Sequence, residues 1–291
     1  MTAHCTLGET MIAALARTIE DGTLVFHGFG SPLVQLAMHV AKRTHAPGMV
    51  LVAGATYGLN PRPPFLTPTS NDWVLDRDAE GSLDIEELFD LAASGRIGRM
   101  FLSGLQIDRW GNANVTRLGH DTLETKLPGG GGGCNLSCDV AGITLWTGAH
   151  RSLPDKNGRK RYRIVEQCDF ITSLGHRGAD GRTRAELGHV GHGPQRLVTE
   201  LGLFDFDGTG QLRLRALYPD TTVDEVAQST GFPLVVAETI GTIALPSPEA
   251  VAIIRALDPM GVHIKELQPQ DRTRRFALAG TTRPNRAEVH S

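Results

Sequence analysis

Two glycine segments carry the residues best placed for chemistry. The first is His27-Gly28-Phe29-Gly30-Ser31-Pro32. The second is Pro128, five glycines from Gly129 to Gly133, then Cys134-Asn135-Leu136-Ser137-Cys138. Backbone without Cβ atoms at a helix start can turn its N–H groups toward a phosphate or a carbonyl oxygen. The first segment lacks the third glycine of a dinucleotide fingerprint, and a tight turn packing a helix on a sheet explains it equally well. The second is costlier: each ordered glycine loses roughly 0.5–1 kcal/mol relative to alanine. A row of inward N–H groups holding an oxyanion or a thioester carbonyl is one reason to carry it; a surface hinge is the other.

Other reactive side chains form looser patterns. Cys134 and Cys138 stand without the second cysteine pair that structural zinc requires, since Cys5 and Cys168 do not supply it. Cys134 follows the glycine run, where a helix start would lower its thiol pKa; small-residue packing is the plainer use. His176, His189 and His192 share one loop, either as a base or metal cluster or as solvated loop histidines. Arg159-Lys160-Arg161-Tyr162-Arg163 would meet the phosphates of a nucleotide-like cofactor, or simply end a strand in solvent.

These residues need elements to hold them. Residues 8–20 carry apolar positions at helical spacing and stop at Asp21-Gly22. Residues 23–26 form an apolar run too short for a helix, hence a buried strand. A helix follows over 32–43 and a strand over 49–53, ending in Gly54-Ala55-Thr56-Tyr57-Gly58. Strand, glycine turn, helix, strand is the rhythm of a parallel sheet. Helices are also predicted over 82–95, 222–229 and 248–257, the last opened by Pro248. Strands are predicted over 99–103, 114–117, 143–146, 162–165 and 170–173, with 197–206 and 212–217 paired through Asp207-Gly208-Thr209-Gly210. Without an interior linker or repeat, the chain reads as one domain over 1–267 with a flexible tail over 268–291. Parallel sheets place ligands at the carboxyl ends of their strands, where the glycine turns fall.

Composition sets the class. The 291 residues hold 29 Lys+Arg against 32 Asp+Glu, with 40% hydrophobic and 21% charged residues. This is globular chemistry rather than disorder, and the near-neutral balance argues against general nucleic-acid binding. No apolar run approaches the ~20 residues that span a bilayer. Met1-Thr2-Ala3-His4-Cys5 lacks the basic stretch and apolar core of a signal peptide. Four cysteines suit reduced thiols, so a cytoplasmic location is expected. The 34 glycines are the outlier, against a usual share of about 7%.

Several segments, taken in order, resemble one family. Residues 105–114 (LQIDRWGNAN) are similar to the Q-(V/I)-D-R-(Y/W)-G-N-x-N segment of the class I coenzyme A transferases, in their β-type subunits. Residues 129–135 resemble that family's glycine-rich acyl-CoA loop, and residues 201–206 (LGLFDF) its LGVFDF strand. Tyr218-Pro219, residues 222–226, residues 229–232 and Leu257-Asp258-Pro259 extend the likeness, which covers about residues 8–262.

The resemblance implies an open three-layer α/β/α fold with a mainly parallel sheet. It implies coenzyme A as the acyl-CoA substrate, no metal, and an α-type partner subunit sharing the active site. Carried over by position, Gly28, Gly30, Gly132, Gly133, Cys134 and Asn135 would shape the thioester and oxyanion pocket. Gln106, Asp108, Arg109 and Asn112 would form a polar turn; Arg109 and Asn135 are catalytic candidates. The adjacent charges of Asp108 and Arg109 would equally serve to pin a loop. In the transferases a glutamate, just after the strand matching 49–53, attacks the thioester and passes through an anhydride to an enzyme–CoA thioester.

Here the sequence departs. Residues 54–58 read GATYG without a carboxylate, and the next acid downstream is Asp72. Tyr57 stands near the lost glutamate, where its phenol could donate a hydrogen bond. Family members without that glutamate include hydrolases that open a carbocyclic ring of a CoA-linked β-diketone late in steroid degradation. The expected function is a β-type subunit of a heteromeric acyl-CoA-processing enzyme, working by CoA transfer or by hydrolytic C–C ring cleavage. The alternatives are a non-catalytic scaffold subunit completing a partner's site and, on fold-level analogy alone, a sugar-phosphate isomerase-like enzyme.

Overall fold

A computed structural model describes residues 4–28 and 31–278. Its first helix, α1 (Leu7–Ala16), opens with a reciprocal cap in which Glu9 N donates to Thr6 Oγ1 (3.1 Å) and Thr6 N donates to Glu9 Oε2 (2.7 Å). All ten of its residues are buried, Glu9 with its carboxylate paired to Arg255 at 2.6 Å. The second helix, α2 (Pro32–Arg43), follows Ser31, whose hydroxyl accepts from Val34 N at 3.1 Å, and has proline at its first position. The predicted bounds of 32–43 match.

The main sheet has ten strands: β1 (Leu24–Phe26), β2 (Val50–Val52), β3 (Gly58–Leu59), β4 (Gly81–Ser82), β5 (Ile97–Ser103), β6 (Ile143–Thr147), β7 (Pro194–Thr199), β8 (Gly202–Phe206), β9 (Leu212–Leu217) and β10 (Val235–Thr242). Their spatial order is β10-β9-β8-β7-β6-β5-β1-β2-β3-β4. The centre, from β7 to β2, is parallel throughout. Antiparallel pairs join β3 and β4 to one side and β8 and β9 to the other, and β10 lies parallel to β9.

Successive residues of a strand point to opposite faces, and here they feed two cores. Val25, Leu51, Phe101 and Val198 pack with Leu15, Leu36 and Met38 of α1 and α2 and with Ile254 of α6 (Pro248–Leu257). Their neighbours Phe26, Val52, Met100 and Leu197 pack with Leu88 of α3 (Ile85–Ala93), Leu136 of α4 (Gly133–Asp139) and Val226 of α5 (Val223–Ser229). The result is the expected three layers around a mainly parallel sheet.

Three local expectations are corrected, and one strand, β10, goes unanticipated. The apolar run 197–206 is two strands, because the chain turns at Glu200-Leu201 and β8 returns antiparallel to β7. The exposed β10 lacks the apolar alternation that would mark it as a strand. Residues 170–173 form only an isolated bridge, Ser173 to Ala113. The tail boundary at 268 falls too early: residues Arg275–Ala277 pair antiparallel with His4–Thr6, and Asp271 is buried. Residues 279–291 lie outside the described residues.

Candidate active site

From β1 the chain moves outward through β2, β3 and β4, then crosses back to β5 and continues the other way through β6 and β7. The reversal puts a topological switch point at the carboxyl ends of β1 and β5, the usual ligand position in such sheets. His27-Gly28 follows β1, and the turn from Gly54 to Tyr57 follows β2, alongside.

The two loops touch. A Cβ at position 54 would overlap the carbonyl oxygen of Gly28 and come within 2.5 Å of His27 Cε1 and 3.0 Å of His27 Nε2. Only glycine fits there. Ala53 N donates to Gly58 O and Tyr57 N to Ala53 O, both at 2.9 Å, so the turn is closed by its own backbone. Tyr57 adopts φ +60°, a left-handed conformation costly for an aromatic residue. Its ring stacks on Phe26 at 6.5 Å, and its hydroxyl meets no hydrogen-bond partner among the described residues. A carboxylate does reach the turn from elsewhere: Thr56 Oγ1 donates to Asp76 Oδ1 at 2.7 Å.

The second glycine segment lies over β5, since a Cβ at Gly133 would sit 3.6 Å from Leu102 and 3.8 Å from Met100. Met100 is the register partner of Phe26, so this loop and the Tyr57 turn gather at the same end of the sheet. Gly129 N donates to Val115 O and Gly133 N to Gly130 O. Among the described residues, the amides of Gly131, Gly132, Cys134 and Asn135 meet no protein acceptor. Gly129 and Gly131 take positive φ, and a Cβ at Gly132 would press on Phe89 at 2.7 Å. Cys134 Sγ turns back to Gly131 O at 3.4 Å, while Asn135 is exposed.

The remaining sequence candidates disperse. Gly28 has φ +64° and open space at its Cα face; Gly30 lies outside the described residues. Arg109 lines a separate cleft with Asp108, Trp110, Glu166 and Arg177, pairing with Glu166 at 3.2 Å and stacking on Trp110 at 5.2 Å. Asp108 pins its loop: it accepts from the backbone of Trp110 and Asn112 and from the Asn112 side chain. His176, His189 and His192 border one open polar cleft with Arg184 and Arg196. Among the described residues no group of three His, Cys, Asp or Glu is arranged to hold a metal, and no helix is long and apolar enough to cross a membrane.

Sequence reasoning missed three groups here. His39 of α2 is buried, and burial lowers its pKa to about 3; the same cause lowers His27 to about 4. Both stay neutral at physiological pH. Glu266 Oε2 accepts from Leu33 N at 2.8 Å and Ser31 Oγ at 3.3 Å at the start of α2, and burial pushes its carboxyl up to about 7. No local spacing relates Glu266, Asp76 or His39 to the turns they meet.

No family model matches the chain. Relatives do. The chain is 30% identical over 262 residues to the B-type half of 3-oxoadipate CoA-transferase from Pseudomonas knackmussii, covering 89% of this chain and 95% of that one. It is 29% identical over 190 residues to the IpdB component of the cholesterol ring-cleaving hydrolase of Rhodococcus jostii, covering 65% and 70%. The crystal structure of the decarboxylase AibA/AibB superposes with TM-score 0.76 and 31% identity over 90% of this chain and 98% of that chain. Fold and relatives together define an open three-layer α/β/α enzyme subunit. The chain belongs to the class I coenzyme A transferase family, among its B-type subunits.

Proposed function

We propose that this chain is the B-type half of a heteromeric cytoplasmic enzyme that processes a CoA thioester with water, without a covalent carboxylate intermediate. One observation carries the reading. The turn after β2 offers no carboxylate, and the Gly28 carbonyl and His27 ring leave no room for a side chain at position 54. An A-type partner supplies the general base. The free amides of Gly131, Gly132, Cys134 and Asn135 are suited to receive a developing oxyanion, because donors fixed before reaction need no reorganisation as charge forms. The R. jostii relative, named a ring-cleaving hydrolase, favours water as acceptor.

The test is co-expression with the A-type partner. Ring-bearing acyl-CoA should be hydrolysed with incorporation of labelled water oxygen, and acyl-CoA plus acetate should exchange no CoA. Brisk exchange, with CoA bound covalently to this chain by mass spectrometry, would overturn the reading. A second reading rests on Asp76, the carboxylate that tertiary structure brings to the turn: an adduct mapped to Asp76 would establish transfer by that route.

A further inference from the structure

An open cleft of about 580 Å3 lies where α1 ends, on the sheet face that carries Phe101 and Val198. The glycine loop at 129–133 covers Met100 and Leu102 on the other face. Arg99 and Arg196, each the third residue of its strand, reach the cleft from β5 and β7, and Arg17 reaches it from the end of α1. Leu203 of β8, Ala216 of β9 and Ile243 after β10 line its apolar side. Thus β5 begins at this cleft and ends at the switch point.

Arg99 is only 6% exposed. A buried cation needs a hydrogen-bonded anion, and Arg99 has none among the described residues. Its Nη1 donates to the neutral Gln195 Oε1. Its Nη2 stands 3.7 Å from Glu20 Oε1, beyond hydrogen-bond reach, and the Glu20 side chain is 78% exposed. Nε is sealed within the protein, which leaves Nη2 as the nitrogen both unbonded and open to solvent. Glycine at 142 makes room for this arrangement, since a Cβ there would come within 2.9 Å of Arg99 Nη1 and 2.8 Å of Gln195 Oε1. Arg17 donates to the carbonyls of Ala244 and Leu245, and Arg196 to that of Gln195, so neither meets an anion. Burial lowers the Arg99 pKa, Glu20 raises it and the charge of Arg196 lowers it again, so the two guanidiniums repel one another. Among the lining residues three cations stand against one carboxylate.

Independently of the hydrolytic reading, we infer that this cleft binds a small organic dianion, with its oxyanion head (carboxylate or phosphate) on Arg99 and Arg196 and an apolar body against Leu203, Ala216 and Ile243. The head accepts from Arg99 Nη2 and from the exposed Arg196, because planar guanidiniums match the paired oxygens of either group. Two negative charges balance the excess of two positive ones. The volume falls within the range of about 300–1,000 Å3 usual for small-molecule sites. The cleft shares no lining residue with the Gly54 turn or the 129–133 loop, so its ligand binds together with the CoA ester rather than in its place.

The experiment titrates the complex with the A-type partner by calorimetry, using adipate for a carboxylate head and phenyl phosphate for a phosphate head. At least one should bind saturably with a Kd of about 1 mM or tighter, ordinary for ligands of that size, and the tighter of the two names the head. Inorganic phosphate, which lacks the apolar body, should bind at least about tenfold more weakly than phenyl phosphate. Arg99→Met keeps the apolar stem and should abolish binding. The exposed Arg196→Gln should weaken it about tenfold, as loss of one charge-assisted hydrogen bond does, while turnover without ligand matches that of the parent complex. Saturating coenzyme A should leave the Kd unchanged, and a crystal structure should place the head within hydrogen-bond distance of Arg99 Nη2. No saturable binding, binding unchanged in both variants, competition by coenzyme A, or equal affinity for inorganic phosphate would each overturn the inference. So would a segment of the A-type partner filling the cleft. None of these results bears on whether the ester is hydrolysed.

Discussion

Gly54 lies directly against the carbonyl of Gly28, so that the loops after two adjacent parallel strands are in van der Waals contact. Gly54→Ala must separate them. The expected loss is about 1–3 kcal/mol, typical of overpacking, read as a lower midpoint in chemical denaturation. Turnover should fall more than stability, because both loops border the switch point. A variant of unchanged midpoint would mean that the contact is slack.

Asn135 and Arg109 separate two views of this subunit. Asn135 sits in the first turn of α4 beside the free amides, and Arg109 lines another cleft, paired with Glu166. Asn135→Ala should lower kcat by about 10²–10³ if its side chain shares the oxyanion. Arg109→Ala should leave kcat within a few-fold and cost less than about 1 kcal/mol, as for other part-exposed ion pairs. If neither variant changes turnover, the subunit is a scaffold.

The Tyr57 hydroxyl bonds to nothing within the described chain, while its ring stacks on Phe26. Tyr57→Phe should therefore keep the folding midpoint, within about 0.5 kcal/mol. A fall in kcat at constant stability would assign the phenol to substrate. Equal kinetics would limit Tyr57 to holding the turn.

Glu266 makes stability depend on pH. Its ordinary carboxyl pKa of 4.5 rises to about 7 in the folded chain, so the folded state retains a proton that the unfolded state has lost. Its favourable contribution is complete below about pH 4.5 and is lost as pH rises through 7. Glu266→Gln keeps a neutral acceptor for Leu33 N at all pH. Relative to the parent chain, that variant should gain up to about 3 kcal/mol between pH 4 and pH 8, measured by denaturation at each pH. His27 and His39, whose pKa values are lowered, push the other way in both proteins and cancel in the difference. A flat difference would show that the Glu266 carboxyl binds its proton equally in the folded and unfolded chains, with no upward shift.

Much of this fold was legible along the chain, where local chemistry decides. Ser31, Pro32 and the apolar face of residues 33–41 bound α2 without help from the rest of the molecule. The buried runs at 24–26 and 50–52 are strands because they are short, apolar and stopped by glycine turns. Where the decision was made at a distance, the pattern failed. The run 197–206 looks continuous until Glu200 and Leu201 must turn, with Glu200 accepting from the amides of His150 and Arg151. Arg275–Ala277 becomes a strand only because His4–Thr6 offers an edge.

The candidate site divides in the same way. Residue order alone settled that glycine turns end the parallel strands and that residues 54–58 lack a carboxylate, because both follow from residue type and position. Packing in three dimensions decided why position 54 must be glycine and which carboxylates reach the turn and the start of α2. Those facts depend on distances between residues 20 or more positions apart, from Thr56 to Asp76 and from Ser31 to Glu266, and such distances exist only once the sheet has closed around its two cores.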